Sequence, residues 1–333
     1  MVGKKRHHFV LFALPIVLFS IVLCSCKAPC PREISKSDFV LNTFATITVF
    51  CENDEKIIDE CFNICRYYEN LFSRTDKNSE IYKLNHREIT VVSDETAELI
   101  KKGLYYSELS GGSFDITVEP LSSLWDFSSD SPSVPAQAAI DGAKSAVDYK
   151  SVSVDGSSVT FSNDRTRLDL GAVAKGYIAD KLRSYLVSQG VKSAIINLGG
   201  NVLCIGGKTD YEGFEVGIQR PFGEGAIAGV TVSDMSVVTS GTYERFFKEN
   251  GKCYHHLLDP RSGYPYNNGL LSVTIIGASS SDCDALSTAC FALGLEDGAA
   301  LINGIEDVYA VFITEDYKLH FSEGAESCLK IKY

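Results

Sequence analysis

The sequence has no basic stripe, and its net charge of −12 leaves nothing to neutralise a phosphate backbone, which excludes nucleic acid as the main partner. An acidic protein that binds a phosphorylated ligand uses a metal ion and helix N-termini instead. There is no CxxC motif with a second pair or histidine partners, so the eleven cysteines do not spell a zinc site. Most of them, Cys61, Cys65 and Cys290 among them, sit in apolar contexts and read as small core hydrophobes. The strand-to-helix turn at Gly171 is not a Walker loop, for the GK[ST] order is missing there. No internal repeat, linker or low-complexity segment interrupts the chain. A steady βαβ rhythm is also missing, which argues against a doubly wound parallel sheet.

What is present begins with a leader. Lys4, Lys5 and Arg6 precede an apolar run from Phe9 to Leu23, too short for a comfortable membrane span, followed by Cys24-Ser25-Cys26. This resembles a bacterial lipoprotein signal, with residues 1–25 removed after Ser25 and lipid placed on Cys26. The expectation is an exported protein, lipid-anchored to the inner membrane and facing the periplasm. An uncleaved N-terminal anchor would also leave the remaining chain outside the cytoplasmic membrane. Residues 26–37 read as a tether and 38–333 as a single catalytic domain.

Phe39 to Phe50 alternates polar and apolar residues and predicts a strand. Asp54 to Phe72 carries Ile57, Cys61, Ile64, Cys65, Tyr68 and Leu71 at helical spacing. A second helix is expected over 94–109, opened by Ser93 or Asp94 and stopped by Gly111-Gly112. Further strands are expected at 151–161, 194–198, 214–218, 229–232, 271–276 and 308–314, and helices at 174–189 and after Ser281. Residues 122–135 read as one long polar loop. The fold class is α+β, a largely antiparallel sheet with flanking helices.

The stretch from Tyr254 to Thr288 is densest in chemistry: His255, His256, Asp259, Asp282, Asp284 and Thr288 surround one apolar strand. Ser279-Ser280-Ser281 supplies N-cap oxygens for a helix. Asp284 and Thr288, four residues apart, then stack on one face. A carboxylate and a hydroxyl so placed form a hard, all-oxygen half-site for Mg²⁺, which leaves room for phosphates. The same residues also serve a plain helix start, Asp284 as a favourable charge and Thr288 bonded back to the preceding turn. His256 ends a strand, where a neutral imidazole is a general base or a structural hydrogen-bonding group. His255 points to the opposite face of an extended segment, so at most one of the two enters a site.

Three glycine turns complete the inventory. Gly112-Ser113-Phe114-Asp115 lets backbone approach a flat ligand, with Asp115 accepting from a ring N–H or sugar hydroxyl, or else is a turn with a core phenylalanine. Asp169-Leu170-Gly171-Ala172-Val173-Ala174-Lys175 runs from strand to helix, where backbone offers a carbonyl to a cation and Lys175 lies near a phosphate. Leu198-Gly199-Gly200-Asn201 follows a buried strand.

The order SFDITVEPL, LDLGAVAKGY, INLGGN, VGIQRP, TSGTYERFF, YHHLLDPRSGYP and SDCDALST resembles the FAD:protein FMN transferase (ApbE) family over about 39–314. The resemblance implies a T-fold-like α+β architecture and a Mg²⁺-dependent enzyme, Mn²⁺ being the alternative metal. It implies that FAD is split, FMN is attached through a phosphoester to a Thr or Ser hydroxyl of an exported or membrane redox protein, and AMP leaves. By motif, Asp284 and Thr288 would ligate the metal through side chains and Ala172 through its carbonyl. Ser113, Phe114, Asp115, Asp169 and Lys175 would line the FAD site with Leu257 against a ring, and His256 would take the hydroxyl proton. Leu41-Asn42-Thr43 stands where the family usually has Met-Gly-Thr, and Thr75 where a Tyr is frequent. Two other functions fit the same residues: a metal-dependent FAD pyrophosphatase giving AMP and FMN, and a periplasmic flavin-binding lipoprotein without catalysis.

Overall fold

In the computed structural model, which describes residues 3, 32–50, 55–208, 212–328 and 330–332, the amino end is a hairpin. The expected leader and the expected lipidation position, Cys26, lie outside the described residues. Strands β1 (Glu33–Val40) and β2 (Thr43–Phe50) pair antiparallel through a turn at Leu41 and Asn42, both left-handed at φ 57° and 54°. Two expectations are corrected here: residues 39–50 are two strands, and residues 33–37 of the expected tether belong to β1. The outward hydroxyl pairs Ser35–Thr48 and Ser37–Thr46, each at 2.8 Å, give this strand a polar face that reads as a tether in sequence.

The helices α1 (Lys56–Phe72), α2 (Glu80–Asn85), α3 (Asp94–Leu109), α4 (Glu119–Trp125) and α5 (Gln137–Lys144) follow. Ser93 caps α3 by accepting from the Thr96 amide, as expected. Residues 122–125, expected in the polar loop, close α4, because Trp125 is buried and its Nε1 donates to the Gly263 carbonyl at 2.9 Å. The stretch 151–161 is a hairpin, β3 (Val152–Asp155) and β4 (Ser158–Phe161), turned at Gly156. Then come α6 (Gly171–Ser188), β5 (Ala194–Leu198), β6 (Asn201–Ile205), β7 (Phe214–Gln219), β8 (Ala226–Val232) and β9 (Ser236–Gly241). The chain continues through β10 (Phe246–Glu249), β11 (Lys252–His255), β12 (Leu270–Gly277), α7 (Ser280–Leu293) and α8 (Leu295–Asn303), and closes with β13 (Tyr309–Thr314), β14 (Leu319–Phe321), α9 (Ala325–Cys328) and β15 (Lys330–Lys332).

Eight strands form the main sheet in the order β1-β2-β5-β6-β9-β12-β13-β14, and every pairing between them is antiparallel. Its central strands are buried on both faces, which explains their nearly continuous apolar runs. On β12 and β13, Val273, Ile275, Ala310 and Phe312 face one core with α1, α6 and α7, while Ile276, Val311 and Ile313 face another. That second core is closed by the three-stranded sheet β15-β8-β7 through Phe214, Val216 and Ile218. Cys61, Cys65, Cys204, Cys253, Cys283 and Cys290 are free thiols, and all of these but Cys253 are buried.

Helices α6 and α7 approach so closely at Gly176 that a Cβ there would stand 2.2 Å from the Ser280 carbonyl oxygen and 2.7 Å from the Asp284 Cβ. Asp180, one turn further along α6, accepts from the Ser280 and Ser281 amides at 3.1 and 2.9 Å and so caps α7 from outside. Gly176→Ala is therefore expected to destabilise the protein by about 1–3 kcal/mol in urea unfolding, the typical result of overpacking. Gly142→Ala on α5, where a Cβ meets nothing within 4 Å, is expected to be neutral or stabilising by up to about 1 kcal/mol. Equal stabilities for the two variants would contradict the contact.

Candidate active site

Three of the chemistry-bearing motifs meet where the first turns of α6 and α7 touch. Asp284 is buried on the inner face of α7, and its Oδ2 accepts from the Gly176 amide at 2.9 Å. In a helix that amide points at the carbonyl four residues back, which is Ala172. Helix register thus places Ala172 one turn before the residue whose amide holds the carboxylate. Thr288 lies one turn along α7 from Asp284, with its hydroxyl 2.9 Å from Ser240 Oγ at the end of β9. Burial pushes the Asp284 carboxyl above the ordinary range, opposed by Lys175, the nearby α6 amides and the Asn201 amide. Asn201 is itself oriented by Ser280, whose hydroxyl donates to its Oδ1 at 2.8 Å.

This donor set fits a hard divalent cation. One carboxylate, one hydroxyl and one backbone carbonyl are all oxygen, the preference of Mg²⁺. Among the described residues no group of three His, Cys, Asp or Glu side chains gathers to hold a softer metal.

Lys175 is the common neighbour of the charged groups. Its ammonium acts on Asp284, on His256 and on Glu244. Glu244 was not singled out in the sequence; the TSGTYERFF motif contained it, but its acid has no spacing signature. It reaches solvent yet is walled in by protein, with Oε1 facing Gly200, and crowding raises its carboxyl against the pull of Lys175 and Arg245. His256 lies deep, and its amide donates to the Arg245 carbonyl at 3.1 Å. Its Nδ1 is buried with no hydrogen-bond partner among the described residues. Burial, then the Arg245, His255 and Lys175 charges, hold its imidazole down at about 3, so it is neutral at any physiological pH. His255 turns the other way, as expected: its Nε2 bonds the Tyr266 carbonyl at 3.0 Å and its ring meets Phe291 edge-on.

The remaining expected residues divide. Asp169 sits just ahead of α6, with Oδ1 accepting from the Gly171 amide at 2.9 Å and Oδ2 paired with Arg74 Nε at 3.2 Å. Arg74, also missed in the sequence, reaches Ser123 Oγ at 2.8 Å as well. Ser113 is buried and its carbonyl accepts from the Tyr266 hydroxyl at 2.7 Å. Phe114 is a core residue, and the Asp115 carboxylate closes its own turn, accepting from Thr117 N and Oγ1 at 2.7 and 2.6 Å and from Tyr149 N at 3.0 Å. Any contact of this segment with a ligand thus falls mainly to backbone. Leu257 is 7 % exposed and packs in the helical core. Asp282 faces away, onto Lys102 Nζ at 2.5 Å and the Tyr106 hydroxyl at 2.8 Å. Asp259 accepts from the Arg261 and Ser262 amides and orders its own loop. Asn42 and Thr75, the two departures from the family pattern, line one groove with Arg66 and Asp76.

A buried carboxylate, a hydroxyl, an ammonium and a neutral imidazole in one region are the groups of an enzyme site that handles a charged substrate. The comparisons with known proteins agree with that class. The ApbE family model matches residues 41–313, and the chain belongs to this family. It is 39 % identical over 271 residues to an FAD:protein FMN transferase of Klebsiella pneumoniae, covering 79 % of this chain and 84 % of that protein. It is 33 % identical to one of Treponema pallidum, covering 88 % of each. The crystal structure of the ApbE protein from Thermotoga maritima superposes with a TM-score of 0.83 at 32 % identity, over 89 % of this chain and 99 % of that one.

An unfolded chain protonates its histidines near 6.5, whereas folded His255 waits until about 4 and His256 until about 3. The unfolded state therefore binds more protons in this window, and stability falls as pH drops from 6.5 toward 4. The urea midpoint is expected to follow that fall, less steeply in His255→Gln. An unchanged slope in the variant would show that burial of His255 is not its source.

Proposed function

We propose that this chain is a Mg²⁺-dependent FAD:protein FMN transferase, exported and lipid-anchored through Cys26, with its catalytic domain facing the periplasm. The observation that carries the reading is the Asp284 carboxylate held on the Gly176 amide where α6 meets α7, with the Lys175 ammonium acting both on it and on the His256 imidazole. Asp284, Thr288 and the Ala172 carbonyl would hold the metal, which would neutralise pyrophosphate charge. Mn²⁺ is the alternative ion for the same oxygens. Ser113, Phe114, Asp115, Asp169 and Leu257 shape the FAD site, with Lys175 against the phosphates.

The chemistry asked of the chain is mostly placement and charge compensation. His256 accepts the proton of an acceptor Thr or Ser hydroxyl, whose oxygen attacks the FMN-side phosphorus. The bond to the bridging oxygen breaks, and AMP leaves with that oxygen. An imidazole at about 3 is available but weakly basic. Substrate phosphates beside Lys175 offset one of the cations that hold it down, and so raise its basicity only when FAD is in place. The acceptor is a redox protein with an exposed hydroxyl in a small-residue loop.

The test is covalent flavin fluorescence on acceptor proteins incubated with FAD and Mg²⁺, with AMP released in equal amount. Asp284→Ala is expected to abolish it, and His256→Ala to slow it by about 10²–10⁴-fold. AMP and free FMN with no labelled protein would replace the transferase with a pyrophosphatase. Undiminished labelling by Asp284→Ala would remove the metal site.

A further inference from the structure

The described residues include four exposed phenylalanines, Phe39 at 60 %, Phe44 at 75 %, Phe222 at 46 % and Phe246 at 39 %. They form two pairs. Phe39 and Phe44 are a cross-strand pair beside the β1–β2 turn, their rings edge-on at 5.4 Å. They stand on the face of β2 opposite Ala45 and Ile47, the face that Phe50 shares with Phe214 of the second sheet. Phe222 belongs to the β7–β8 loop of that second sheet and meets Phe246 edge-on at 5.1 Å.

Between the two pairs runs the Gly199–Gly200 turn. A Cβ on Gly199 would collide with Thr43, the neighbour of Phe44, at 2.1 Å. On the other side Gly200 faces Glu244, two residues before Phe246 and within the electrostatic reach of Lys175 and Asp284. The two aromatic pairs thus flank a glycine saddle whose floor opens on the catalytic charges. Gly200 is exposed and offers no side chain, so another backbone can lie across it.

Folding alone does not account for these rings. Phe222 is held at φ 54°, a left-handed conformation that costs a residue with a side chain about 1–3 kcal/mol, and still remains in water. Its loop is fixed by Tyr317, whose hydroxyl bonds the Pro221 carbonyl at 3.3 Å and whose ring lies under Arg220. Exposed aromatics clustered at a functional cleft mark an interaction surface.

We infer that the saddle between Phe39–Phe44 and Phe222–Phe246 is the docking surface for the acceptor polypeptide. This rests on the transferase reading, which requires a protein to bring its hydroxyl to the Asp284–Lys175 cluster. The occupant is an extended segment with small residues around the Thr or Ser, which cross Gly200, and apolar side chains on either side, which rest on the ring pairs. A flavin is the less suitable occupant, because each pair is edge-on and offers no flat double face. The residues assigned to FAD come instead from the helical side, at 113–115, 169–175 and 257. In-line attack places acceptor and leaving AMP on opposite sides of the phosphorus.

The test uses the intact protein and an exported redox subunit that the wild-type chain flavinylates. Phe44→Ser and Phe222→Ser are each expected to raise the acceptor KM about tenfold, and the double variant about a hundredfold. FAD affinity by equilibrium dialysis is expected to stay within about twofold, because no FAD-site residue changes. Phe44→Leu should recover most of the loss, and Tyr105→Ser, an exposed aromatic on α3, should change neither quantity. An unchanged acceptor KM in the double variant, or a loss of FAD affinity in its place, overturns the docking surface while leaving the transferase standing. A wild-type chain that labels no protein overturns both.

Discussion

The hydrogen bond from the Gly176 amide to the Asp284 carboxylate is the constraint on which the site depends. It exists only because two helices approach to backbone contact, and that approach is possible only at a residue without a Cβ. The carboxylate so held is buried, raised and incompletely compensated by its neighbours. Burying a charge in this way is unfavourable unless something positive completes it. Lys175 does so in part from α6, and a divalent ion bound to the same oxygens would do the rest.

The surrounding fold supplies this contact with rigid support. Asp180 caps α7 from α6, Ser279 caps it from within, and Ser240 on β9 meets both Ser287 and Thr288. The helix pair is therefore fixed to itself and to the centre of the sheet. Side chains on helix starts and strand ends, with capping residues around them, are placed more precisely than loop residues would be. The electrostatics follow from the same geometry. The Lys175 cation that stabilises Asp284 and Glu244 also depresses the His256 imidazole.

Much of this was legible in the sequence, and the failures have physical causes. Asp284 and Thr288 fell on one face because helical periodicity fixes relative position within a helix. The partition of His255 from His256 followed from strand alternation in the same way. Long-range contacts carried no such signal: nothing local pairs Gly176 with residue 284 or Arg74 with Asp169. Glu244 was hidden for the same reason, since its importance comes from Lys175 and Gly200 and not from its neighbours in sequence. Asp115 was ambiguous because a carboxylate after a glycine pair suits a ligand or a turn equally; one of its oxygens went to Thr117 in the turn and the other to the Tyr149 amide. The β1–β2 hairpin escaped because a leucine in the left-handed region is not a turn signal, and because Ser35 and Ser37 make the strand's outer face polar.

The most direct measurement is a crystal structure of the mature chain grown with FAD and Mn²⁺, read by the anomalous signal of the metal. The account predicts a peak bonded to Asp284, to the Thr288 hydroxyl and to the Ala172 carbonyl, in contact with the pyrophosphate. A peak elsewhere, or a pyrophosphate held with no metal at those oxygens, would contradict it.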